Sequence, residues 1–243
     1  MNNSGFKRDN NRKNDQKRET KITVNYLKTN PHSVMMSMGN TKVLCAATAG
    51  NRIPSHILNT GKGWVSAQYS MLPSSSYERI RRERYKVRGR TKEIERLIGR
   101  SLRSVCELSA LPNESIIVDC DVIQADGGTR CASITGGFIS LYLLFKQMQR
   151  KNEITKNPIT NFLAAVSAGV VHGRPLLDLN SNEDMSAQVD LNLVMTESGR
   201  FSEIQATGEE ATFTEDQFKE LMELGKKGIK ELITEQKKAL GMF

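Results

Sequence analysis

Paired cysteines are missing from this sequence. Cys45, Cys106, Cys120 and Cys131 show no CxxC spacing, so a disulfide framework is excluded and reduced thiols are expected. Histidine is scarce: His32, His56 and His172 lie far apart and lack zinc-ligand spacing, which leaves them incidental. No apolar run approaches the length that spans a bilayer, so no membrane partner is expected. Residues 1–20 are polar and charged throughout, unlike a signal peptide. Together these absences lead us to expect a cytoplasmic protein.

What is abundant is positive charge. The 243 residues carry a formal net charge of +8, with 38% hydrophobic and 26% charged residues, the balance of an ordinary globular chain. Between 79 and 103 there are eleven arginines and lysines against Glu83, Glu93 and Glu95, an excess equal to the charge of the whole chain. Arginine outnumbers lysine there, which favours bidentate forks onto phosphate over mere solubility, and the backbone of RNA or DNA is the natural target.

Periodicity places the elements. Residues 1–11 read as a disordered basic lead-in. Strand-like runs follow at 21–26, 33–38, 42–47 and 64–69, then a long basic loop over 74–90. Residues 91–108 read as an amphipathic helix burying Ile94, Leu97, Ile98, Leu102 and Val105, with Arg96, Arg100 and Arg103 extending the loop's charge on another face. Residues 115–124 form the clearest strand, with Asp119 and Asp121 sharing one face. A helix is expected over 134–149, strands over 162–172, 174–179, 189–196 and 201–205, and a closing helix over 215–240. That last helix opens on a Thr214-x-x-Gln217 capping box, and Gly225 on its buried stripe admits a close neighbour. Hairpins first, then mixed strands and helices, indicate an α+β fold.

Two constellations carry chemistry. Gln124-Ala125-Asp126-Gly127-Gly128-Thr129-Arg130 sits between a strand and a helix. Glycines there let the backbone approach closely, the helix start presents free N–H groups, and Arg130 adds a two-pronged grip, which together suit a phosphate. The second constellation is Glu183-Asp184 with Asp190. Alternation buries Val189, Leu191 and Leu193, so Asp190 and Asn192 face the other way, and Asp184, in the turn before them, folds back beside Asp190. Such a pair either holds Mg²⁺ or keeps one carboxyl protonated as a general acid; spacing leaves both open.

These motifs, in their order, resemble ribonuclease PH, a family of phosphate-dependent 3′ exoribonucleases. The resemblance rests on Asn40-Thr41-Lys42-Val43-Leu44-Cys45, Gly63-Trp64, Met71-Leu72-Pro73, Gly89-Arg90-Thr91-Lys92-Glu93-Ile94, Asp119-Cys120-Asp121-Val122 running into 124–130, and 183–190. It covers about residue 12 onward and implies one catalytic domain over 12–243, built of duplicated β-α units with mixed sheets. It implies that inorganic phosphate is a co-substrate bound by Arg90, Gly128, Thr129 and Arg130, and that Asp184 and Asp190 are catalytic and hold Mg²⁺. Arg79, Arg81, Arg82, Arg84 and Arg88 would grip RNA. The implied substrate is the 3′ end of tRNA precursors, and the implied assembly is a homohexamer, a trimer of dimers. A non-catalytic RNA-binding ring subunit is the alternative, although such subunits usually lose the phosphate arginine or the carboxylates. The sequence departs from the family at Ser74, where arginine is usual, at Gln68 for glutamate, and at Met185 for serine. Arg81, Arg84 and Arg88 would compensate for Ser74.

Overall fold

The computed structural model describes residues 7–50, 54–55, 57–83, 87–111, 115–209 and 212–242. His56 and Arg84 lie outside them. Two sheets carry the fold. The first has five strands in the order β1-β2-β3-β5-β4, from Thr20–Val24, Val34–Met38, Thr41–Gly50, Trp64–Met71 (β4) and Ser115–Gln124 (β5). All neighbours in it are antiparallel except β4 and β5, which run parallel because helix α1 (Gly89–Arg103) connects them. The second has four strands in the order β7-β6-β8-β9, from Leu163–Val171 (β6), Arg174–Leu177 (β7), Ala187–Thr196 (β8) and Phe201–Gly208 (β9), all antiparallel.

Helix α2 (Thr129–Arg150) packs against β3 on one side and β6 on the other. It is buried nearly all round, Phe138 and Phe145 completely, as a helix between two sheets must be. Closing helix α4 (Glu215–Ala239) lies on β6 and begins with the expected capping box between Thr214 and Gln217. At Gly225 a Cβ would lie 2.7 Å from Leu193 Cδ2, which confirms the close approach. Gln236 is fully buried and donates to the carbonyls of Thr135 and Leu163, tying α4 to both α2 and β6. One continuous apolar cluster runs through both halves. Among the described residues no helix is long and apolar enough to cross a membrane, and all four cysteines are free thiols.

Several expectations are corrected. The lead-in expected over 1–11 does not extend through residues 7–11: they form a short 3₁₀ turn at Asp9–Asn11, and the Arg8 side chain is buried against Glu183. Helix α2 begins at Thr129, five residues before the apolar periodicity starts, because left-handed Gly128 serves as its N-cap. Asp184 sits on a one-turn helix, α3 (Ser181–Met185), rather than in a turn; a capping box between Asn180 and Glu183 nucleates it. Helix α1 buries the expected stripe but ends at Arg103. The charges of Arg100 and Arg103 do not extend the basic loop. Arg100 pairs with Glu203, while Arg103 donates to the Val65 carbonyl at 2.7 Å and lies 4.2 Å from the Trp64 ring centroid.

Candidate active site

The β5–α2 connection carries the glycine motif. Gly127 and Gly128 hold φ of +74° and +66°, a region other residues adopt only under strain. A Cβ on Gly127 would lie 2.6 Å from the Leu179 carbonyl oxygen, so the backbones of the two halves meet there with no room for a side chain. Gly128 has no side chain to cap α2, so the first-turn amides lack a side-chain acceptor at the positive end of a 22-residue helix. The Tyr69 hydroxyl lies 2.9 Å from Thr129 Oγ1 and fixes its orientation.

Arg130, on that first turn, places Nη2 3.6 Å from Asp190 Oδ2 and donates from Nη1 to Gln205 Oε1 at 3.3 Å. Asp190 Oδ2 also accepts from Asn192 Nδ2 at 2.9 Å, while its Oδ1 is buried with no partner among the described residues. Burial first, and the neighbouring Asp184 second, push the Asp190 carboxyl up to about 6 against the pull of Arg130. The Asp184 carboxyl is raised as well, through loss of solvation, with Arg130 and Arg90 opposing. The structure thus brings together the two carboxylates that the spacing had suggested.

Arg130 and Asp184 line a cleft of about 760 Å³ together with Arg81, Arg82, Arg88, Arg90, Gly128 and Thr129, whereas Asp190 stands just outside that lining, behind Arg130 and Asn192. Of the sequence-derived basic residues, Arg79 is exposed and stands outside this lining. Asp119 and Asp121 line the same cleft, and loss of solvation raises both carboxyls. Gln68 is the register partner of Asp119, so the departure from glutamate avoids a third carboxylate at that wall. Met185 points into solvent, 76% exposed.

Sequence reasoning missed the buried charges behind this surface. Arg18 pairs with Asp178, Nη2 to Oδ1 at 2.7 Å, and Arg8 pairs with Glu183, Nε to Oε1 at 2.7 Å, all four side chains nearly inaccessible. Arg12 adds a third guanidinium, 3.2 Å from Glu183 Oε2. No local pattern announced them, because each pair joins residues about 160 or more positions apart.

The family model described as "3′ exoribonuclease family, domain 1" matches residues 16–145, and that of domain 2 matches 161–228. The chain belongs to the 3′ exoribonuclease family. Among curated members, the ribonuclease PH of Bacillus pumilus is 50% identical over 230 residues, covering 93% of this chain and 95% of that one. The ribonuclease PH of Listeria innocua is 52% identical over 227 residues, 92% of each. Solved structures show the fold of this 3′ exoribonuclease family. An Archaeoglobus fulgidus exosome with RNA bound to the active site superposes with a TM-score of 0.80 at 19% identity, over 94% of this chain and 92% of that one. An archaeal exosome core gives 0.74 at 18% identity, over 95% and 91%.

Proposed function

We propose that this chain removes 3′-terminal nucleotides from RNA by phosphorolysis, releasing nucleoside diphosphates. The observation that carries this reading is the uncapped start of α2 in an arginine-lined cleft, with Arg130 on its first turn reaching back to within 3.6 Å of Asp190. Orthophosphate sits on the amides of Gly128 and Thr129, gripped by Arg130 and Arg90. It attacks the terminal phosphodiester in line, the bond to the 3′ oxygen breaks, and a proton passes to that oxygen. Both reactants are anions, so their approach depends on the fixed positive charge of the cleft.

Asp190 is the proton donor in this scheme. Its Oδ2 is committed to Asn192 and Arg130, leaving Oδ1 to carry the proton. The same bare oxygen also fits a cation. Among the described residues no cluster of three or more acidic, histidine or cysteine ligands exists, but Mg²⁺ needs only one or two carboxylates beside substrate phosphates. Asp184 and Asp190 are the residues that would hold it, and the ion would neutralise charge on the scissile phosphate.

We extend the reading to tRNA precursors as substrates, a cytoplasmic location, and a homohexameric ring assembled as a trimer of dimers. Identity of about 50% to ribonuclease PH and the fold of exosome rings support it. The deciding experiment incubates RNA bearing a 3′ extension with and without phosphate and identifies the released nucleotide. Diphosphates released only with phosphate are expected. Monophosphates would mean hydrolysis, and no release would mean a binding subunit.

The RNA surface has its own test. Replacing Arg81 and Arg82 with glutamine should reduce the slope of log affinity against log salt by about 1.4, roughly 0.7 for each phosphate of single-stranded RNA that is no longer neutralised. Arg79→Gln, outside the cleft lining, should leave the slope unchanged. An unaltered slope in the double variant would place RNA elsewhere.

A further inference from the structure

Arg18 is buried behind the glycine loop and never reaches the cleft surface, yet it touches the loop at two places. Its backbone N–H donates to Asp178 Oδ2 at 2.7 Å, its Nε to the same oxygen at 3.1 Å, and its Nη2 to Oδ1 at 2.7 Å. The other prongs of the guanidinium turn to the loop: Nη1 donates to the Asp126 carbonyl, and Nη2 to the Gly127 carbonyl at 3.4 Å. Thr41 Oγ1 also donates to the Gly127 carbonyl, at 2.7 Å.

A trans peptide points its C=O and the following N–H in opposite directions. Holding the carbonyls of Asp126 and Gly127 against the interior therefore turns the N–H groups of Gly127 and Gly128 away from Arg18, toward the cleft those glycines line. Two consecutive residues at positive φ have little intrinsic preference for that orientation, since glycine is as free at negative φ. Asp178 supports the arrangement from the second half of the chain. Burial alone would raise its carboxyl, but the Arg18 guanidinium holds it below its ordinary value, so the pair stays ionised. Asp178 is itself fixed by its N–H, which donates to the Ser167 carbonyl at 2.7 Å.

We infer that Arg18 is a positioning residue for the phosphate nucleophile: it acts through the peptide planes of Asp126–Gly128 and fixes the direction of the Gly128 amide, one of the two that receive the ion. This rests on the phosphorolytic reading above and adds a residue that neither touches the ion nor lines the cleft. A lysine would keep the charge beside Asp178 but has one compact ammonium in place of a fork, and it cannot hold the carboxylate and both carbonyls together.

The test is steady-state phosphorolysis of a labelled RNA with phosphate varied, alongside RNA affinity and thermal melting. Arg18→Lys is expected to raise KM for phosphate about tenfold, with RNA affinity and kcat at saturating phosphate close to wild type. The double variant Arg18→Met with Asp178→Asn leaves no unpaired buried charge and should show the same rise while remaining folded. Wild-type KM for phosphate in either folded variant overturns the inference. So does a matching loss of RNA affinity, or failure of both variants to fold, since the pair would then be general scaffolding. Nucleotide release by the wild-type protein without phosphate would overturn the phosphorolytic reading itself, a separate outcome.

Discussion

Asp190→Asn is expected to lower kcat by about 10³-fold, within the range general acids supply, while RNA still binds. Asparagine preserves the shape and the contact with Asn192 but has no proton to give the leaving 3′ oxygen. The pH profile identifies the proton. The folded carboxyl is pushed up to about 6, so it is protonated below that pH and ionised above it. If Asp190 is the acid, kcat/KM falls as pH rises through about 6, and this limb disappears in Asp190→Asn. A limb that rises through the same pH would require the ionised form and assign Asp190 to holding the cation. Near-normal turnover of the variant would remove it from the mechanism.

Arg130→Ala should reduce kcat/KM for phosphate by about 10²-fold, as loss of a preorganised donor to an oxyanion does, and leave RNA affinity nearly unchanged. A second effect separates it from Arg90→Ala. Arg130 lowers the Asp190 carboxyl from 3.6 Å away, so removing it raises that carboxyl further and moves the falling limb to higher pH. Arg90→Ala should cost a similar factor in phosphate use with the limb in place, because Arg90 acts on Asp184 and Tyr69 rather than on Asp190. Equal losses of phosphate use and RNA binding in both variants would count against the pocket.

The local grammar of the chain made much of this site readable. Alternation along β8 put Asp190 and Asn192 on one face, and the glycines before Thr129 marked a helix start. The start itself was misplaced by five residues because Thr129 and Arg130 open toward the cleft, where no apolar residue is needed, so the apolar stripe does not reach back to them. Helix α3 was invisible because one turn of Ser-Asn-Glu-Asp-Met has no periodicity, and its stability comes from Asn180 and from Arg8 and Arg12 on Glu183. Arg8 fell within the disordered basic lead-in expected over 1–11. A guanidinium is read as surface until its carboxylate is known, and here the carboxylates lie in the other half of the sequence. The same limit applied to Arg100 and Arg103, whose partners are Glu203 and the Val65–Trp64 edge.

The meeting of residues 8–18 with residues 178–183 has a consequence for synthesis. A chain emerging from the ribosome displays every proposed phosphate ligand by residue 130 and neither carboxylate before residue 184. Until the segment after β7 has been made, through Glu183, Arg8, Arg12 and Arg18 have no carboxylates to close on, and the glycine loop lacks the backbone at Leu179 that it packs against. On the phosphorolytic reading, a nascent chain can hold RNA through its basic loop but has no complete site to cut it until residues 178–190 have been made and have closed on residues 8–18.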